Sequence, residues 1–252
     1  MKTKRTLLLL GCTLAAFALF GCATIAPAKQ GPPSLQLLVV TTADWVSSEA
    51  RLQRYERQAA DSAWVAQGEP LAAMVGRNGL AWGTGRHPET AAAAGPKKRE
   101  GDGKAPAGIF ALGPSFGEAE GSALPWLRLS YEQMTDQHRC VDDVNSPFYN
   151  RLVDERVVAK GWQSDEEMRR KDGLYRLGLV VHHNLDPVVP GGGSCIFLHI
   201  WQGPGQGTSG CTALDASAVE EVLGWLRPDA QPLLVQLPRE EYDRLRGPWG
   251  LP

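Results

Sequence analysis

Glycine and proline, 28 and 18 of the 252 residues, fall between nearly all the apolar runs of this chain and keep those runs short. Glycine interrupts regular structure through its conformational freedom, and proline through its fixed φ and missing N–H. A chain cut this often is expected to fold as short strands joined by turns. Alternating or continuous apolar patterns place strands at 35–41, 71–75, 108–112, 126–129, 177–182, 194–200 and 233–237. Two segments read as helices. Ser164-Asp165-Glu166-Glu167 is a capping box that opens a helix toward Asp172, and 215–227 carries Val219, Val222, Leu223 and Leu226 on one face before Pro228 stops it. The expected class is mainly β, sandwich-like or barrel-like, with a few short helices.

The amino terminus reads as an export signal. Lys2, Lys4 and Arg5 precede an apolar core over 7–20, and Leu19-Phe20-Gly21-Cys22 is similar to a lipoprotein cleavage box. The core is short for a membrane span, so cleavage before Cys22 with lipid on its sulfur is favoured over a retained anchor. Ala23, rather than aspartate, follows Cys22, which by similarity to Gram-negative lipoproteins points to the outer membrane, facing the periplasm. The expected organisation is a signal over 1–21, a linker over 22–33 and one domain over 34–252. A net charge of −2 with dispersed Lys and Arg gives no basic face for nucleic acid.

The stretch 196–214, IFLHIWQGPGQGTSGCTAL, sets one histidine and one cysteine around a glycine-rich loop. The apolar Ile196-Phe197-Leu198 reads as a strand delivering His199, and Gly203, Pro204, Gly205 and Gly207 turn the chain back toward Cys211. An imidazole that takes the thiol proton makes a good nucleophile from a poor one. Gly210 allows close backbone approach, and the Gly210 and Cys211 amides are candidate oxyanion donors. Taken singly, an inert buried cysteine and a satisfied core histidine are the commoner outcomes. The glycine-rich setting favours catalysis by Cys211 and His199.

His199 followed by Thr208-Ser209-Gly210-Cys211 resembles the signature of the YkuD-type L,D-transpeptidases of bacterial cell walls. Val75-Gly76-Arg77-Asn78-Gly79, the segment from Glu100 through Gly101-Asp102-Gly103-Lys104 to Phe110, and Cys140-Val141-Asp142-Asp143 are similar to segments of one divergent branch. The resemblance implies a β-rich catalytic domain, a cysteine that attacks a peptidoglycan stem peptide, a histidine base and no cofactor. It also makes 52–57 and 63–65 a hairpin, although the first could open a helix. Typical members carry histidine two places before the cysteine and arginine two places after it, where this chain has Ser209 and Ala213. The expected activity is transfer through a thioester. Hydrolysis of stem peptides or wall-protein links, and peptidoglycan binding without catalysis, are the alternatives.

Supporting roles follow. Lys98, Arg99 or Lys104 is expected to meet a stem-peptide carboxylate in place of the missing arginine. Thr208 and one of His182 and His183, which point to opposite faces of a strand, are candidates for the site wall, with packing the commoner fate of the histidines. Ser209 is expected to hydrogen-bond the imidazole or substrate and not to be a nucleophile, because Gly207-Thr208-Ser209-Gly210-Cys211 lacks the final glycine of Gly-x-Ser-x-Gly. Ala105 stands where a phosphate loop needs Ser or Thr, and no His/Cys spacing supports zinc, so neither a nucleotide nor a metal is expected. Once Cys12 leaves with the signal and Cys22 carries lipid, three cysteines remain. One must stay free. Cys211 takes that role, with Cys140 paired to Cys195; two separate buried thiols are the alternative.

Overall fold

A computed structural model describes residues 33–88 and 95–252. The signal, Cys22, the linker through position 32 and the alanine run Ala91-Ala92-Ala93-Ala94, read as loop, lie outside the described residues. The described strands are β1 (Gln36–Thr42), β2 (Glu49–Glu56), β3 (Val65–Met74), β4 (Leu80–Trp82), β5 (Ala105–Gly117), β6 (Tyr131–Gln133), β7 (His138–Val141), β8 (Arg151–Asp154), β9 (Asp165–Glu167), β10 (Leu177–Val181), β11 (Phe197–Ile200), β12 (Thr212–Leu214) and β13 (Leu233–Pro238). Two α-helices, α1 (Ala216–Trp225) and α2 (Arg239–Leu245), accompany them. The fold is mainly β.

Eight strands follow one another in the order β10, β11, β12, β3, β2, β1, β13, β5, and β5 pairs back to β10. That last pairing closes the sheet into a barrel, which leaves none of the eight with an open edge. Six neighbouring pairs are antiparallel, whereas β1 with β13 and β11 with β12 run parallel. Inside lie Leu38, Val40, Leu52, Phe110, Leu179, Leu198, Leu214 and Leu234, joined by Val219, Val222 and Leu223 of α1. Each such side chain contributes about 1.5–3 kcal/mol on burial. The turn signals at the ends of α1 are used as read: Asp215 accepts from Ser217 N at 2.9 Å at one end, and Arg227, extended before Pro228, closes the other. Buried Gln36 collects the Trp225 carbonyl (3.0 Å) and the Arg227 N–H (2.8 Å).

Three further strands form a separate sheet in the order β8, β7, β9. Here two expectations fail. The capping box at Ser164 opens no helix: Asp165, Glu166 and Glu167 pair with Val141, Cys140 and Arg139 as strand β9. The Asp165 carboxylate receives Lys160 Nζ (2.9 Å) and Trp162 Nε1 (2.7 Å), so tertiary contacts outweigh the local helix signal. Residues 126–129 are not a strand; Leu127 and Leu129 pack singly against the core from a loop. The two segments expected at 63–65 and 71–75 merge into one long strand, β3, running from Val65 to Met74 and pairing antiparallel with β2, so 52–56 is strand and not helix. The strand read at 194–200 begins only at Phe197, because Cys195 has φ +55°.

A second apolar cluster fills the space between the barrel wall and the small sheet. Phe116, Tyr175, Phe197 and Cys211 come from the barrel side, and Cys140 and Met168 from around the small sheet. Phe116, Tyr175 and Phe197 meet edge to face with centroids 5.1–6.0 Å apart. The candidate site opens beside this cluster.

Candidate active site

Alternation along β11 sends Leu198 and Ile200 into the barrel core and turns Phe197 and His199 outward. The parallel register sets Leu198 against Thr212 and His199 against Ala213. Cys211 therefore enters one residue before β12, next to Phe197, whose N–H donates to its sulfur at 3.3 Å. The thiol in turn donates to the Cys195 carbonyl at 3.4 Å. Below it, Thr212 Oγ1 donates to the buried Gln236 Oε1 at 2.7 Å, and Gln236 Nε2 reaches Pro106 O at 2.9 Å, which anchors the start of β12 to β13 and β5.

His199 and Cys211 line one cavity of about 420 Å³. Both are buried, at 5% and 6% exposure. His199 Nδ1 lies 2.8 Å from the Ile200 carbonyl. A carbonyl only accepts, so Nδ1 carries the proton and Nε2 is the basic nitrogen of the neutral ring. The Tyr175 ring stands edge-on to the imidazole at 4.9 Å. Burial, with Arg170 nearby, lowers the His199 pKa to about 4. Burial and then Glu166 push the Cys211 thiol up to about 12, against opposing hydrogen bonds from Phe197 N–H and Tyr175. The resting site thus holds a neutral thiol and a neutral imidazole.

The loop that carries Cys211 is pinned from the side. Arg77 N donates to Thr208 O at 2.7 Å, and a Cβ on Gly207 would fall 2.5 Å from Arg77 Cα, so glycine alone fits there. Thr208 lines the cavity, and its hydroxyl donates to Cys211 O at 2.6 Å while accepting from Gly210 N at 3.1 Å. That contact corrects one expectation: the Gly210 amide is occupied by Thr208 and does not face an incoming oxyanion. Ser209 lines the cavity but does not take the imidazole. Its hydroxyl receives Arg77 Nη1 at 3.1 Å.

Of Lys98, Arg99 and Lys104, only Lys98 reaches the cavity wall. Lys98 lines the cavity, yet its ammonium is taken up by Asp102 Oδ1 and the Arg99 carbonyl, both at 2.7 Å. Arg99 and Lys104 are not among the lining residues; Lys104 Nζ turns away to Asn78 O at 2.5 Å. His182 lies in other depressions, against Gly113 and Arg86. His183 is structural: Nδ1 accepts from Thr84 N at 3.2 Å and Nε2 meets Gly192 O at 3.0 Å. The unassigned cation on the wall is Arg77, which among the described residues forms no ion pair with a carboxylate.

Sequence reading gave no role to the acidic wall. Glu100, Asp142 and Glu166 line the cavity from three separate segments. Glu100 Oε2 accepts from Tyr149 and from Ser194 Oγ (2.7 Å), and Glu166 Oε2 accepts from Tyr175 at 2.7 Å. Asp142 Oδ1 is buried without a hydrogen-bond partner. Burial, together with the charges of Asp142 and Glu100, raises the Glu166 pKa. Asn150 at φ +61° ties this wall to the site strand, donating to His183 O and Asn184 O and accepting from Cys195 N at 2.9 Å. Cys140 and Cys195 are joined as a disulfide with Cα atoms 5.9 Å apart, and Cys211 is free. Among the described residues no His, Cys, Asp and Glu group has a metal-binding arrangement.

Fold and site together define a closed mixed β-barrel with a buried thiol and imidazole facing one polar cavity. No family model matches the chain, and no curated protein matches it. Among solved structures, the chain is similar to the helical cell shape determining protein Pgp2 from Campylobacter jejuni, at 15% identity and a TM-score of 0.34. That match covers 81% of this chain and 48% of the other, so the chain spans about half the length of that protein.

Proposed function

We propose that the protein is a cysteine-dependent L,D-transpeptidase acting on peptidoglycan stem peptides, held in the bacterial envelope by lipid on Cys22. The observation that carries this reading is the shared cavity of Cys211 and His199, on adjacent parallel strands, with the imidazole tautomer fixed by the Ile200 carbonyl. The motif from His199 to Cys211 supplies the substrate class.

In this mechanism His199 Nε2 takes the thiol proton and Sγ attacks the L-to-D amide carbonyl of a tetrapeptide stem. A tetrahedral oxyanion forms and collapses to a thioester as the imidazolium returns its proton to the departing D-alanine amine. An amine of a second stem then attacks the thioester, and Cys211 regains its proton through His199. Water in place of that amine gives a trimmed stem instead. Both groups rest neutral, so the proton passes from Sγ to Nε2 as Sγ attacks.

Incubation of the purified protein with tetrapeptide muropeptides, read by mass spectrometry, tests the reading. Cross-linked dimers with released D-alanine are expected, and none from Cys211→Ala. Trimmed monomers alone would assign hydrolysis. Turnover by Cys211→Ala would overturn the role of the thiol, and intact substrate with the native chain would overturn the enzymatic reading and leave the peptidoglycan-binding one.

A further inference from the structure

The Tyr175 hydroxyl stands between two acceptors from different parts of the fold. It donates to Glu166 Oε2 at 2.7 Å, and the ring shares one buried cluster and one cavity wall with Cys211, whose thiolate the hydroxyl favours. A phenol has one proton, so it serves one acceptor at a time. The ring itself is fixed: Phe116, Phe197 and His199 meet it edge to face at 6.0, 5.5 and 4.9 Å, and the Arg170 guanidinium lies 5.0 Å from its centroid. Rotation of the O–H bond is the freedom that remains.

Glu166 is held in place with equal care. Its partner across the small sheet is Cys140, and Cys140 is bonded to Cys195, whose carbonyl accepts from the Cys211 thiol. The disulfide therefore connects the carboxyl and the sulfur through one covalent link. Asp142 and Glu100 face Glu166 as like charges, and Arg170 faces it as an opposite charge. Arg170 is shared with Asp172 at 2.5 Å, and Lys98, which faces the sulfur, is committed to Asp102. Both cations are thus shared with carboxylates other than Glu166.

We propose that Tyr175 is a two-position donor and that the charge on Glu166 selects the position. With Glu166 ionised, the hydroxyl is drawn to the carboxylate and Cys211 rests as a thiol. When Glu166 is neutralised, by a proton or by the cationic group of an arriving substrate, the hydroxyl turns to the sulfur and stabilises the thiolate. When the thiolate forms, its proton goes to His199 Nε2, and no other bond changes. Tyr175 is then a catalytic residue and Glu166 a positioning residue that acts through it. The inference deepens the reading of Cys211 as the reactive thiol and rests on it.

The test is the rate of Cys211 alkylation by iodoacetamide as a function of pH, read at that site by peptide mass mapping on the purified full chain. Glu166→Gln is expected to speed alkylation about tenfold near neutral pH, one unit of thiol pKa. Tyr175→Phe, which keeps the ring contacts, is expected to slow it about tenfold. In the Tyr175→Phe background, Glu166→Gln is expected to gain less than about threefold, because the donor it releases is gone. Unchanged or faster alkylation in Tyr175→Phe, or the same gain from Glu166→Gln in both backgrounds, would overturn the proposal, with thermal melting confirming that each variant is folded. The readout uses no peptidoglycan. Muropeptide turnover with flat alkylation responses would sink this inference alone, and the expected alkylation pattern without turnover would sink the substrate reading alone.

Discussion

The backbone N–H of Phe197 points at the sulfur of Cys211 from 3.3 Å, across two parallel strands. With the thiol donating onward to Cys195 O, the sulfur is held at both its accepting and donating positions. Sulfur bonds of this kind are weak, so they orient the side chain more than they stabilise the fold. Cys211→Ala is therefore expected to abolish turnover while lowering the melting temperature by only about 2–4 °C, equivalent to roughly 1 kcal/mol. Calorimetry beside the activity assay checks both halves.

Two buried histidines make the fold acid-sensitive. Burial lowers His183 and His199 from an ordinary 6.5 to about 4. The unfolded chain binds these protons first, so each histidine contributes stability that is complete above pH 6.5 and is lost as pH falls toward 4. Between pH 7.5 and 5 the loss is about 2 kcal/mol per histidine. Urea unfolding across that range should show the decline. His183→Gln, whose amide can still donate to Gly192 O and accept from Thr84 N, should remove close to half of it.

Gly108 has φ +138°, and a Cβ there would lie 2.1 Å from His87 Cε1. His87 is itself fixed by the Ile109 N–H at 3.1 Å. Gly108→Ala is expected to cost about 2–4 kcal/mol through overlap and backbone strain. Pairing it with His87→Ala should recover part of that loss in a double-mutant cycle of denaturant unfolding.

The Cys140–Cys195 disulfide spans 55 residues of chain. Chain-entropy arguments give about 4 kcal/mol for a loop of that size. Replacing both cysteines by alanine is expected to lower stability by about that amount. Hydrogen exchange should show β7 and β9 opening before the barrel, because beyond the disulfide the small sheet is tied by one apolar cluster and by side-chain hydrogen bonds such as Tyr175 to Glu166.

Arg77 is the cation left for a substrate carboxylate. Arg77→Ala is expected to raise KM about tenfold for a stem peptide with a free terminal carboxylate, with kcat changed less than about threefold. A C-terminally amidated donor should bind native and variant protein equally. Equal KM increases for both donors would assign Arg77 to loop support through Thr208 and Ser209.

Most strands that form the barrel were legible where leucine and valine show a pattern between glycines, although β12 was not read as a strand and β2 came only with the family resemblance. So was the placement of His199 and Cys211 at the two ends of one loop, where both line a single cavity, because each lies in or next to a strand. The acidic wall was not. Asp142, Glu166 and Tyr175 come from short, polar stretches whose structure depends on partners distant in sequence, and Ser164 even offers a local helix signal that pairing with Cys140 overrides. Lys98 misled for a related reason: a lysine in a polar loop looks available until Asp102, four residues on, is seen to bind it. Arg77 stood in a segment whose glycines drew more notice than its guanidinium.

The parallel run of β11 and β12 gives the intervening chain a fixed length to cover. Parallel neighbours usually need a dozen or more residues to return to the starting end, and here the return from Ile200 to Thr212 has no helix in it. The bridge from Gly76 to Thr208 fastens the second half of that path to the barrel rim. The loop thus works as a ruler. Shortening it by one residue beyond Thr208 would either slip β12 against β11 or turn Cys211 inward among the leucines, away from the imidazole. Length changes can be absorbed only in the exposed turn around Gly203 and Gly205, so that turn is where grafted sequence should be tolerated.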